Sequence, residues 1–125
     1  MRTARLIISG TKEFYNYTIL SKEVIQFMLD YAISSNHYDD FEIISGEVDR
    51  FHSLVEKFAA ICGLQLVKFS PDYIQFGSTA EIVNNSLMVE YANHCICFWD
   101  GKCGSTKHLI GLANDKMMPT KVILI

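Results

Sequence analysis

A chain of 125 residues, half of them hydrophobic and a fifth charged, has ordinary globular composition and the length of one domain with one sizeable core, so residues 1–125 read as a single domain. A net charge of −3 argues against general nucleic-acid binding. The longest apolar runs are far too short to span a bilayer and no signal-peptide pattern opens the chain, so the expectation is a cytoplasmic protein without a membrane partner.

The elements alternate. A first strand is predicted at about Arg5 to Ser9. A helix follows from about Tyr17 to Ser34, with Val24, Phe27, Met28, Tyr31 and Ala32 as its apolar stripe. After a polar connection, a second strand runs from about Glu42 to Ser45. A second helix, about Asp49 to Cys62, carries Phe51, Leu54, Val55, Phe58 and Ala59 on one side, and Gly63 caps it. A third strand is about Gln65 to Phe69. Pro71 opens a longer connection to a third helix, roughly Ser78 to Ala92, with Ile82, Leu87, Met88 and Tyr91 expected inward. A fourth strand is about His94 to Trp99 and a fourth helix about Thr106 to Asp115. Pro119 precedes a last strand, Lys121 to Ile125. This alternation predicts an α/β, Rossmann-like, three-layer domain with five main parallel strands in the order 3-2-1-4-5. Runs such as Leu6-Ile7-Ile8 and Val122-Ile123-Leu124 read as buried on both faces.

Three strands end in small, glycine-bearing loops: Ser9-Gly10-Thr11-Lys12, Ser45-Gly46-Glu47, and Asp100-Gly101 running on to Gly104-Ser105-Thr106. In an open parallel sheet the carboxyl ends of the strands share one edge, and ligands bind there. Glycine lets backbone approach a ligand, hydroxyls add donors, and the N–H groups opening a helix favour an anion. The paired amides Asn84-Asn85 could read a base or ribose edge, or could cap the third helix. Glu47 and Asp100 are the candidate catalytic carboxylates, with Glu13 and Glu81 behind them; Asp49 reads as opening the second helix. His108 reads as a surface residue, and His37 and His52 carry no constellation. Trp99, Tyr15 and Tyr73 are candidates for stacking on a base. Cys95 and Cys97 share a face of a buried strand, Cys103 sits near a helix start, and the spacing of Cys62, Cys95, Cys97 and Cys103 lacks a zinc signature, so no metal or cofactor is implied.

The order Ser9-Gly10-Thr11-Lys12-Glu13-Phe14, Ser45-Gly46 with Asp49-Arg50, Asn84-Asn85-x-x-Met88, then Phe98-Trp99-Asp100-Gly101 with Thr106-Lys107-His108-x-Ile110 resembles the YspA/YpsA-related branch of the SLOG superfamily. Its relatives include DNA processing protein A and the lonely-guy phosphoribohydrolases. The resemblance implies a Rossmann-like sheet with a pocket for a nucleotide or nucleotide-derived ligand, and self-association through helices flanking the sheet. The chain departs from the family pattern in three places. Its second loop lacks the extra glycine and the basic residue, Asn84 stands where the family has arginine, and Ser105 stands where it has glycine. Lys12, Lys102 and Lys107 are left as the cations nearest the strand ends.

The reading that follows is a binding module that senses or sequesters a nucleotide-derived small molecule, of the kind that resembles domains in bacterial and phage conflict systems. Its ligand-binding residues would be Ser9, Gly10, Thr11, Lys12, Ser45, Gly46, Glu47, Asn84, Asn85, Asp100, Gly101, Gly104, Ser105 and Thr106. The alternatives are a nucleoside monophosphate phosphoribohydrolase or similar N-glycosidic hydrolase, and a protein-interaction domain whose pocket has decayed. A homodimer is expected, because the first helix carries Ile19, Leu20, Phe27, Met28 and Tyr31, more apolar surface than one sheet face needs.

Overall fold

Five short apolar runs become five strands in the computed structural model, which describes residues 2–31, 38–46 and 49–125. They are β1 (Thr3–Gly10), β2 (Asp40–Ser45), β3 (Gln65–Lys68), β4 (His94–Trp99) and β5 (Thr120–Leu124). All pair in parallel in one sheet of order β3-β2-β1-β4-β5. The helices are α1 (Tyr17–Asp30), α2 (Asp49–Cys62), a single turn α3 (Tyr73–Phe76), α4 (Ala80–Tyr91) and α5 (Gly104–Asp115), with a 3-10 turn at Gly77–Thr79 leading into α4. None is long and apolar enough to cross a membrane among the described residues.

β1 is the central strand, and its alternation divides the core in two. Leu6 and Ile8 pack under α1 and α2 with Val24, Phe27, Phe51, Val55 and Phe58. Ile7 faces the other way, toward Met88 and Val89 of α4 and Leu109 and Ala113 of α5. Both faces of the sheet are therefore covered, and the domain has three layers. Each fully buried phenylalanine among Phe27, Phe51, Phe58 and Phe98 contributes about 1.5–3 kcal/mol.

The second helix keeps its expected bounds because local signals agree with its packing. All five stripe residues are buried. Gly63 sits at φ +66° and closes the helix with two bonds, Leu64 N–H to the Ala59 carbonyl at 2.8 Å and Gly63 N–H to the Ala60 carbonyl at 3.3 Å. α5 ends by the same pair of bonds, with Met117 at φ +60° in the position usually held by glycine.

Three expectations change. α1 ends at Asp30, where Tyr31 caps it; the expected residues Ala32 to Ser34 lie outside the described residues. On α4 the core-facing residues are Ala80, Asn84, Asn85, Met88 and Val89, while Ile82 and Leu87 are 47% and 49% exposed. At 100° per residue, Ile82 and Leu87 flank this stripe on opposite sides, and the two asparagines take the place an apolar pair would hold. β5 is not buried on both faces: it is an edge strand, with Val122 and Leu124 exposed outward and only Ile123 packing on the core.

Candidate functional site

Because β2, β1 and β4 are neighbours, their carboxyl ends bring the three glycine-bearing loops together. Register places Ile7 beside both Ile44 and Cys95, and Ser9 beside Cys97, so the loops leave the sheet at one edge. α4 and α5 pack on each other and their amino-terminal halves form the far wall.

The result is a narrow cleft lined by Ser9, Gly10, Lys12, Gly46, Pro71, Glu81, Asn84, Asn85, Met88, Cys103, Ser105 and Thr106. Its enclosed part is small, about 20 Å³, room for about one water. Lys12 Nζ and Glu81 Oε1 stand 3.7 Å apart at its side. A wider and shallower depression of about 490 Å³ lies beyond Thr11, against Glu13, Tyr15, Asn16, Asp100 and Ile125. That depression is larger but carries two carboxylates and no lining cation, so it offers nothing to an anion. The narrow cleft, with Lys12 and the start of α5, does.

Gly10 is where the chain cannot carry a side chain. A Cβ there would sit 2.6 Å from the Phe51 ring and 2.8 Å from the Phe98 carbonyl oxygen. The close approach lets Thr11 N–H donate to that carbonyl at 2.9 Å. Thr11 Oγ1 then accepts from Asp100 N–H at 3.1 Å, which ties the first loop to the fourth. Gly46 is packed less tightly, with a Cβ there meeting the flexible end of Met88 at 3.1 Å and Asn84 Nδ2 at 3.5 Å.

The fourth loop is built by its own residues. Asp100 Oδ1 accepts from the N–H groups of Lys102 and Cys103, each at 2.8 Å, and Trp99 Nε1 donates to the Cys103 carbonyl at 3.0 Å. The bond from Cys103 N–H, then that from Lys102, holds the exposed Asp100 carboxyl below its usual range. Gly101 makes the turn at φ +81°. Asp100 and Trp99 thus position the start of α5 rather than face the cleft. Thr106, 3% exposed, donates its hydroxyl to Cys103 Sγ at 3.3 Å.

Of the predicted residues, the cleft gathers Ser9, Gly10, Lys12, Gly46, Asn84, Asn85, Ser105 and Thr106. Thr11, Ser45, Asp100, Gly101 and Gly104 lie on the same loops without lining it. Glu47 falls outside the described residues. Asn84 and Asn85 sit in the second turn of α4, so they are not N-caps: Asn84 Nδ2 donates to the Phe69 carbonyl at 2.6 Å and Asn85 Nδ2 to the Ser105 carbonyl at 3.0 Å. The second of these bonds fastens α4 to the first turn of α5.

Glu81, expected only as a reserve carboxylate behind Glu47 and Asp100, lines the cleft, and His52, expected to carry no constellation, belongs to a group. His52 Nδ1 meets Ser45 Oγ at 2.6 Å, its Nε2 faces Glu56 at 3.5 Å, and Glu56 faces Lys68 at 3.4 Å. The i,i+4 spacing of His52 and Glu56 was the available signal. Ser45 is only 2% exposed, so the chain of contacts pins α2 to β2 and offers no accessible nucleophile. Cys95 and Cys97 are buried with their sulfurs 3.5 Å apart, and that hydrogen bond, together with burial, pushes the Cys95 thiol up. Both are core residues. No three histidine, cysteine, aspartate or glutamate side chains converge as a metal site among the described residues.

Compared with known proteins, the chain matches no family model, no curated protein and no solved structure. The functional reading therefore rests on the cleft.

Proposed function

We propose that this domain is a binding module for a nucleotide or nucleotide-derived small molecule, with the resemblance to SLOG proteins and the cleft geometry pointing the same way. The observation that carries the reading is the position of the cleft. It lies at the carboxyl edge of the central parallel strands, between the Ser9–Lys12 loop and the start of α5. The phosphate end of the ligand is assigned to the Gly104-Ser105-Thr106 helix start, where free N–H groups and the helix dipole favour negative charge, with Lys12 as the nearby cation. The sugar or base end is assigned toward Asn84 and Asn85. Asp100, one of the two candidate catalytic carboxylates, is held by its own turn, which favours binding over turnover at that residue.

A thermal melt against a panel of nucleotides tests the reading. A member present at a hundredfold over its Kd adds about 2.7 kcal/mol to the stability of the folded state. A panel that leaves the melting temperature unmoved rejects it.

A further inference from the structure

The two walls of the cleft differ in chemistry. On α4, Glu81, Asn84 and Asn85 stand at i, i+3 and i+4, and all three line the cleft. Asn84 and Asn85 are 5% and 6% exposed. Each uses its amide N–H on a backbone carbonyl, which fixes which end of the amide is oxygen. Neither Oδ1 accepts a hydrogen bond from any described residue. Ionised Glu81 is also an acceptor, and Lys12 is its ion-pair partner. This wall is therefore a row of acceptors, and the two amide oxygens, although carried on well-buried residues, still reach solvent. A ligand that displaces water from these oxygens must supply donors in its place, so the row describes what the ligand must bring.

The donors could come from hydroxyls or from a cation. A ligand ammonium at Glu81 would also face Lys12, 3.7 Å from the same carboxylate, and would gain little. Neutral hydroxyls meet no such repulsion. Adjacent hydroxyls also match adjacent acceptors, including the two oxygens of a carboxylate. We propose that the α4 wall recognises the 2′,3′-cis-diol of a ribose, so that the cleft selects ribonucleotides over 2′-deoxyribonucleotides. The inference rests on the nucleotide reading above and adds to it the class of sugar and the residue Glu81.

The test is calorimetric titration of the intact chain with AMP, GMP, CMP and UMP and their four 2′-deoxy counterparts. The ribo member of a pair is expected to bind about tenfold more tightly, the loss of one hydrogen bond to a charged or buried group. Glu81→Ala is expected to shrink that ratio severalfold toward one. Its side chain is 30% exposed, so the fold tolerates the change, and a melting curve checks this. The readout is the ratio, because freeing Lys12 also changes affinity for phosphate. Equal affinities within each pair overturn the inference and leave the nucleotide reading standing. A preference that follows the amino group of the base rather than the sugar overturns it too. An unchanged ratio in Glu81→Ala removes Glu81 from the wall's role and overturns the assignment. No binding by all eight overturns the nucleotide reading itself, and the inference with it.

Discussion

Gly10→Ala probes the joint on which the cleft is built. The added methyl would lie 2.6 Å from Phe51 Cε2, 3.0 Å from Phe51 Cζ and 2.8 Å from the Phe98 carbonyl oxygen. Carbon atoms pack best at about 3.5–4.0 Å, so both neighbours must withdraw by most of an ångström. Neither is free to do so. Phe51 is 1% exposed, with its ring centroid 6.1 Å from that of Phe14 and 6.0 Å from that of Phe98. The Phe98 carbonyl is fixed by Thr11 N–H. Overpacking of this kind costs about 1–3 kcal/mol. With a urea slope of about 1.5–2 kcal/mol/M, a loss of about 2 kcal/mol lowers the unfolding midpoint by about 1 M at unchanged slope. Phe51→Leu in the Gly10→Ala background should restore part of the loss, because the ring contact is relieved and the carbonyl contact is not; the cycle should show a favourable coupling of about 0.5 kcal/mol or more. A midpoint within about 0.2 M of the parent would refute the close-approach argument for Gly10.

Three further outcomes follow from single residues. Met117 holds a left-handed φ of +60° with its side chain 89% exposed, so Met117→Gly should stabilise by about 1 kcal/mol and raise the melting temperature by about 3–5 °C; an unchanged or lower value would contradict it. His94 is buried against Phe27, Tyr31 and Tyr38, with Nδ1 beside Asn93, and burial lowers its pKa. The unfolded chain therefore binds the extra proton first: stability should be constant above about pH 7.5 and fall as pH drops below the ordinary histidine value of about 6.5. His94→Gln should flatten that slope in pH-dependent urea melts, and an undiminished slope would be inconsistent with this. Ile25 and Leu29, one turn apart on α1 and 47% and 61% exposed, are expected to pair in a homodimer burying on the order of 1,000 Å² or more. Light scattering that gives a strict monomer at high concentration rejects the dimer, and a dimer unaffected by Leu29→Lys rejects the α1 face as its interface.

The strand order and both covered sheet faces were legible because alternation of short apolar runs with amphipathic stripes admits few topologies. α2 could be read to its ends, since the stripe Phe51, Leu54, Val55, Phe58 and Ala59 and the capping Gly63 all agree with one helix. α4 could not. Its core-facing row contains Asn84 and Asn85, so a hydropathy pattern assigns the inward face to Ile82 and Leu87 instead. Local pattern and packing disagree where two amides line the cleft. The same logic explains Leu124, apolar yet 73% exposed, because an edge strand and a central strand of similar composition look alike until the sheet order is known. The roles of Asp100 and Trp99 were hidden for another reason. Their bonds to Lys102, Cys103 and the Cys103 carbonyl are local turn geometry, which residue type alone does not separate from ligand contact. The Phe27 and Leu20 side chains expected to drive association are wholly within the domain's own core.

The start of α5 and the facing loops are assigned here to a nucleotide. Calorimetry of the parent chain and of Gly104→Trp against ribonucleoside monophosphates and 3′,5′-cyclic nucleotides tests this assignment most directly. A Cβ at position 104 meets nothing within 4 Å, so the variant should melt with the parent, and its indole stands at the first residue of α5, beside the cleft-lining Ser105 and Thr106. One-to-one binding of at least one panel member to the parent, and none to the variant, is expected. Binding that survives Gly104→Trp, or a panel in which nothing binds the parent, would contradict it and leave the protein-interaction domain as the better reading.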